Sequence, residues 1–216
     1  MTLRLVPVVE GHGEVEAFPV LLRKILQSLA PQLYVEVRRP IHTPRDRFLN
    51  REDERRKILG YATLACSEAP GGGHILVLLD ADDDCPVTLG LRLVELCERV
   101  VRGRVPVSIV LANREYEAWF LASCDTLEGV RDFRMERLRQ RWDPSAEDAD
   151  PDVPRNAKGL MGRATGRAYG ETADQAALSS RIDVELARSR SRSFAKLVRE
   201  CERMLGVDRR RVGDQP

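Results

Sequence analysis

The chain has 216 residues, of which 35 are Lys or Arg and 34 Asp or Glu; its formal net charge is +1, and 43% of it is hydrophobic and 32% charged. That length suits one sizeable α/β domain, or such a domain with a helical appendage. The near-zero balance excludes a global field that would draw the protein to nucleic acid, so any such binding has to rest on local basic patches. The cysteines, Cys66, Cys85, Cys97, Cys124 and Cys201, are odd in number and form no C-x-x-C pair. This argues against a disulfide framework or zinc ribbon and points to a reducing cytoplasm. His12, His42 and His74 are scattered, with no metal-ligand spacing. The first apolar run, Leu3–Val9, is far too short to span a bilayer, so neither a signal peptide nor a membrane segment is expected.

In chain order, that Val-rich run reads as a buried strand. Val15, Phe18, Leu22, Ile25 and Leu29 then fall three and four apart, the stripe of a helix packed on a sheet. Pro19 would cost roughly 3 kcal/mol inside a helix, so the helix has to begin only a few residues before it. Residues 34–39 alternate like a half-exposed strand, and 51–69 read as an exposed amphipathic helix stopped by Gly71 to Gly73. The continuous apolar run 74–80 predicts a central strand buried on both faces. A helix is expected over 89–101, a second buried strand over 105–112, and a helix opening at 115–122. This alternation implies a mostly parallel sheet covered on both sides. The α/β domain is expected over 1–124. From 125 to 216 strand patterns disappear; an acidic, Pro-bearing loop at 142–154 precedes helices near 158–168, 173–188 and 192–205. These form a helical extension packing on the same domain, and the tail, 208–216, is expected to fray.

Three carboxylate clusters stand at the carboxyl ends of expected parallel strands: Glu10 with Glu14, Asp80 and Asp82 with Asp83 and Asp84, and Glu115 with Glu117. Ligands bind at that edge of open α/β sheets because side chains from several strands converge there. Two carboxylates about 4 Å apart repel by about 1 kcal/mol in bulk water and about 4 kcal/mol at an effective dielectric near 20. A convergence of four to six needs strongly raised pKa values or a bound cation. Oxygen donors without His or Cys favour Mg²⁺ or Mn²⁺, as one or two ions. Each cluster alone has a plainer reading, as a solvated turn or as charges complementing a helix N-terminus. Gly11 and Gly13 relieve the turn after the first strand, where His12 reads as a turn residue.

Glu-Gly closing the first strand, followed by Asp-x-Asp after a later apolar strand, resembles the TOPRIM fold of topoisomerases, primases and overcoming-lysogenization-defect (OLD) nucleases. More closely, "LVPVVEGHGEVEAFPVLLRKI", "ILVLLDADDDCP" and "REYEAWFLA", with the later "DQAALSSRID" and "RSRSFAKL", resemble a bacterial family of small stand-alone TOPRIM-like proteins, domain of unknown function 4276. The resemblance implies a TOPRIM-like mostly parallel sheet flanked by helices. It implies Glu10 as metal ligand or general acid/base, Glu14 as a second glutamate, and Asp80 and Asp82 as metal ligands. Glu117 matches a later glutamate, with Glu115 its rival and Asp84 a possible addition. A lysine that stabilises developing phosphate charge is expected from a C-terminal helix, Lys158 first and Lys196 second. OLD-type nucleases are usually fused to an ABC-type ATPase; this chain has no G-x-x-x-x-G-K-[ST] loop, so an ATPase has to come from a separate chain.

The expectation is a Mg²⁺- or Mn²⁺-dependent nuclease acting on DNA or RNA, in defence against phage or mobile elements beside such an ATPase. The alternative is a non-catalytic module that binds metal or nucleic acid and regulates the ATPase. A haloacid-dehalogenase-type phosphatase needs an aspartate where Glu10 stands. Arg163, Arg167, Arg188, Arg190 and Arg192 make either a phosphate-binding flank or, more simply, a solvated helix face.

Overall fold

In a computed structural model, which describes residues 2–207, the chain builds an α/β sandwich around one parallel sheet. The run Leu3–Val9 is strand β1, and the three-four stripe behind it is helix α1 (Glu14–Leu29). Pro19 sits inside α1, five residues after its first residue, where it forgoes the bond its N–H would have made to the Val15 carbonyl. The strand expected at 34–39 is shorter, β2 (Val35–Val37), and a two-residue strand beyond those bounds, β3 (Ile41–His42), was not expected. Val37 pairs with Leu5 and Ile41 with Val8, so three residues ending in Pro40 face two of β1. Proline, lacking an N–H, is tolerated at such an edge bulge.

Helices α2 (Arg45–Asn50) and α3 (Glu52–Ser67) lead to β4 (Gly73–Asp80), and α4 (Pro86–Val101) leads to β5 (Val107–Ala112). All pairings are parallel, in the order β2–β1–β4–β5 with β3 beside β1. The apolar runs of β4 and β5 are buried because both faces are covered. Val6, Val8, Ile75, Val77, Leu79, Ile109 and Leu111 pack toward α3 and α4. The alternate residues, including Leu5, Val9, Leu76, Leu78 and Val110, pack toward α1 and the C-terminal helices.

Past β5 come α5 (Ala118–Ala122), α6 (Met135–Arg139), α7 (Ala157–Thr165), α8 (Glu171–Arg181), α9 (Val184–Arg190) and α10 (Arg192–Leu205). The single helix expected over 173–188 is two. The chain is extended at Ile182, and Asp183 restarts the helix by accepting from Leu186 N at 2.9 Å. Its own N–H is drawn off to Ser123 Oγ at 2.7 Å. Helices α2 and α6, each short, were not expected from periodicity. The tail expected to fray, 208–216, lies outside the described residues. Among the described residues no helix is long and apolar enough to cross a membrane.

The C-terminal helices are bound to the sheet by specific contacts. Trp119 Nε1 donates to Ser193 Oγ at 2.9 Å, and the Tyr116 and Ser179 hydroxyls are 2.9 Å apart, all four residues being buried. Helix α8 approaches α1 so closely at Gly13 that a Cβ there would lie 2.2 Å from Gln175 Oε1 and 2.8 Å from Glu171 O. Gly13→Ala therefore lowers stability by ~1–3 kcal/mol in urea denaturation, because backbone has to move. Gly60, within α3, has nothing within 4 Å of its Cβ position, and Gly60→Ala raises stability by up to ~1 kcal/mol.

Candidate active site

From β1 the chain crosses through α1 to one side, whereas β4 and β5 add on the other side of β1. The order therefore reverses between β1 and β4, and the crevice outside their carboxyl ends is the natural ligand position of such a sheet. Val9 is in register with Leu78, which brings Glu10 and Asp80 side by side just beyond. The Asp80 N–H donates to Glu10 Oε2 at 3.2 Å. Glu14, first residue of α1, folds back so that its Oε2 accepts from the N–H groups of Glu10 and Gly11, both at 3.2 Å. Asp80 Oδ1 accepts from the Tyr116 N–H at 2.9 Å, which draws the segment after β5 over β4. The next residue, Glu117, is wholly buried, and its Oε1 accepts from Gln175 Nε2 of α8 at 2.8 Å.

These four carboxylates share one desolvated region. Burial raises the pKa of each, and at Glu14 and Asp80 repulsion from the other carboxylates adds to it. For Glu14 the value is pushed up to about 7, chiefly by burial, with repulsion from Glu10 and Glu117 working against its two amide donors. Asp80 is raised by burial, then by Glu14, Glu117 and Glu10. Lys158 of α7 is the opposing charge. Burial works against its ammonium, but Glu117, Glu171 and Asp80 together raise its pKa, so it stays a cation. Its Nζ lies 3.0 Å from Glu171 Oε1.

The other expected site residues stand elsewhere. Asp82, at φ +50°, is exposed at the rim; its charge reaches Glu10, but its partner is Arg45 Nη1 at 3.6 Å. Arg45 also binds Asp84, while Arg114 and Arg155 hold Asp83 at 2.9 and 2.8 Å. Glu115 caps α7, its Oε2 accepting from the Lys158 N–H at 3.0 Å. Lys196 is on α10, paired with Glu200 and away from the carboxylates. Of the arginine flank, Arg167 is committed to Asp174, Arg188 to Glu202 and Arg190 to Asp125. Arg163 and Arg192 are exposed.

Three contributors were not singled out from the sequence. Gln175 fixes Glu117, Arg45 gathers the rim aspartates, and Tyr169 lies beside Glu117. Gln175 Oε1 is buried without a hydrogen-bond partner, and the Tyr169 hydroxyl faces the Glu117 carboxylate. Gln175 sits in a helical stretch where an apolar stripe masks a single polar residue, and Tyr169 lies in the connection between α7 and α8. Arg45 belongs to a segment with no clear periodicity at all.

The chain belongs to the family described as Domain of unknown function (DUF4276), whose model matches residues 9–202. No curated protein and no solved structure matches it. The match spans all four clustered carboxylates and Lys158.

Oxygen is the only donor type in the cluster, a donor set that fits a hard divalent cation. Among the described residues no three acidic, His or Cys groups already form a metal cage. Each carboxylate is tethered to its own donor instead, so closing around an ion requires side-chain rotation. With no ion, the raised carboxylates make folding pH-dependent. A folded pKa above the unfolded value means that the native state holds the extra proton, so stability is full below about pH 4.5 and is lost as pH rises through about 7. For Glu14 alone the loss is about 3 kcal/mol. Glu14→Gln, which keeps an acceptor for the two amides, should leave stability unchanged at pH 4 and raise it by about that amount at pH 8, measured by urea denaturation in EDTA.

Proposed function

We propose that this protein is a Mg²⁺- or Mn²⁺-dependent nuclease that hydrolyses phosphodiester bonds in DNA or RNA. The observation that carries the reading is the convergence of Glu10, Glu14, Asp80 and Glu117 with one cation, Lys158, at the switch point of a parallel sheet. The order of Glu10 and the Asp80-Ala81-Asp82 sequence supports a TOPRIM-type arrangement. Glu10, Glu14, Asp80 and Glu117 would hold the ion or ions. Such an ion, when bound, supplies Lewis acidity that activates water and stabilises a leaving oxygen.

The chain's own groups divide the remaining work. Glu10 is the least buried of the four, and its raised pKa suits it to accept a proton from an attacking water. Asp80 and Glu117 are deeper, each anchored through one oxygen by Tyr116 N–H or Gln175, with the other oxygen left to turn toward a cation. Lys158 is half-exposed and held charged, placed to meet negative charge developing on a phosphate. Asp82 and Asp84, paired with Arg45, make a polar rim that can exchange partners when a phosphate approaches. The five free cysteines fit a cytoplasmic setting. A separate ABC-type ATPase, in defence against phage or mobile elements, remains part of this proposal.

The alternative, a non-catalytic module that regulates such an ATPase, draws on the tethering of each carboxylate to its own donor. One assay separates the two. Supercoiled plasmid and single-stranded RNA are incubated with Mn²⁺ or Mg²⁺, with EDTA as control. Cleavage should need the metal and fall ~10²-fold or more in Asp80→Asn and Glu117→Gln, and ~10- to 10³-fold in Lys158→Met. Activity retained by Asp80→Asn would sink the nuclease reading. Metal-dependent thermal stabilisation without cleavage of either substrate would favour the regulatory module.

A further inference from the structure

β5 is the last strand of the sheet, and among the described residues no strand pairs with its outer edge. Ile75 N donates to Pro106 O and Ala81 N to Ala112 O, so in the parallel ladder Ser108 and Val110 also face β4. Val107, Ile109 and Leu111 therefore turn their N–H and C=O groups outward. A cleft of about 520 Å³ opens along this edge, with Ile109 and Leu111 in its floor. Its two walls differ in chemistry. On the α4 side stand Val87, Leu91 and Val94, with Val87 70% and Leu91 66% exposed. On the α10 side stand Arg192, Lys196 and Arg199. Lys196 is shared with Glu200, whereas Arg192 and Arg199 are exposed and, among the described residues, make no ion pair.

We infer that this edge binds an extended segment of a partner protein in which acidic and apolar residues alternate, adding it to the sheet as a further strand beside β5. Successive side chains of a strand point to opposite faces of the sheet. One alternate set of the guest would therefore meet the apolar α4 wall and the other the cationic α10 wall. Its backbone would meet the outward groups of Val107, Ile109 and Leu111, the geometry of strand addition. A second copy of this chain fits less well. A two-fold pairing of β5 with itself sets α10 beside α10, and so places Arg192, Lys196 and Arg199 against their own copies. Single-stranded nucleic acid would find cations on one wall only and an aliphatic wall opposite.

The probe is a short acetylated and amidated peptide alternating Glu and Val, carrying a fluorophore, with binding to the full chain read by anisotropy. Saturable binding is expected, weakened at least ~10-fold by Arg192→Glu with Arg199→Glu, about 1.4 kcal/mol. Gly90→Phe should weaken it similarly, because the Gly90 Cβ position lies 3.8 Å from Leu111 Cδ1 and a ring there covers the floor. Methylating the peptide's amides at alternate residues should abolish binding in one of the two frames and spare it in the other. Unchanged circular dichroism and melting temperature show that the variants fold. No saturable binding overturns the proposal, as does equal binding of a Lys/Val peptide or of both methylated frames. It is equally overturned if a single-stranded oligonucleotide binds in an Arg192- and Arg199-dependent way and the peptide does not. Concentration-dependent dimerisation abolished by Leu91→Asp would assign the edge to a second copy instead.

Discussion

The desolvation of Asp80 at the end of β4 is the constraint that organises this molecule. A carboxylate there faces three others, and the sheet's double coverage keeps water from screening them. Left alone, such a cluster opposes folding. It persists because each acid takes a donor from a different element: Asp80 from the 113–117 segment, Glu117 from α8, and Glu14 from the turn after β1. These bonds tie together the carboxyl edge of the sheet, α1 and α8. Gly13 sits where the last two meet, and the absence of its side chain permits the approach that buries Glu117. The C-terminal helices are thus part of the site as well as its cover.

Electrostatically the acids divide into two shells. Of the inner four, Glu14, Asp80 and Glu117 are buried and Glu10 is half-buried, and Lys158 opposes their charge. The rim acids, Asp82, Asp83 and Asp84, remain exposed and are paired with Arg45, Arg114 and Arg155. A rim carboxylate can change partners at little cost because solvent compensates it. An inner one cannot, since it trades a proton or a cation for full desolvation. The same chemical group therefore does two jobs, set by depth alone. The sequence Asp80-Ala81-Asp82 straddles that boundary, which explains why its two aspartates differ so sharply in their surroundings.

Much of the architecture was legible because the strands are buried on both faces. Runs such as 74–80 cannot alternate, and their continuous apolar character marks them as central. Glu10 and Asp80 were legible for the same reason, being the first charges after such runs. Choosing between Glu115 and Glu117 was not possible from spacing, as both lie beside the start of α5. The difference arises only because α7 offers Glu115 an N-terminal amide while α8 offers Glu117 an amide side chain. Similarly, 173–188 carries one unbroken polar and apolar pattern. The break at Ile182 is imposed by Ser123, distant in sequence, which captures the Asp183 N–H. Tertiary partners decide such points, and local periodicity is blind to them.

The open edge and the carboxylate cluster are linked by one short segment. Ala112 ends β5 and accepts from Ala81, immediately beyond Asp80, while Asn113 Nδ2 donates to Asp152 O at 3.2 Å. Asp152 in turn fixes the start of α10 through Ser191 Oγ at 2.8 Å and Arg192 N at 3.1 Å. Three residues beyond Asn113, the Tyr116 N–H holds the Asp80 carboxylate. The basic wall of the edge cleft and the position of Glu117 are thus set by the same stretch, 112–117. A shift of this stretch would therefore move both the amide that orients Asp80 and the anchor of α10.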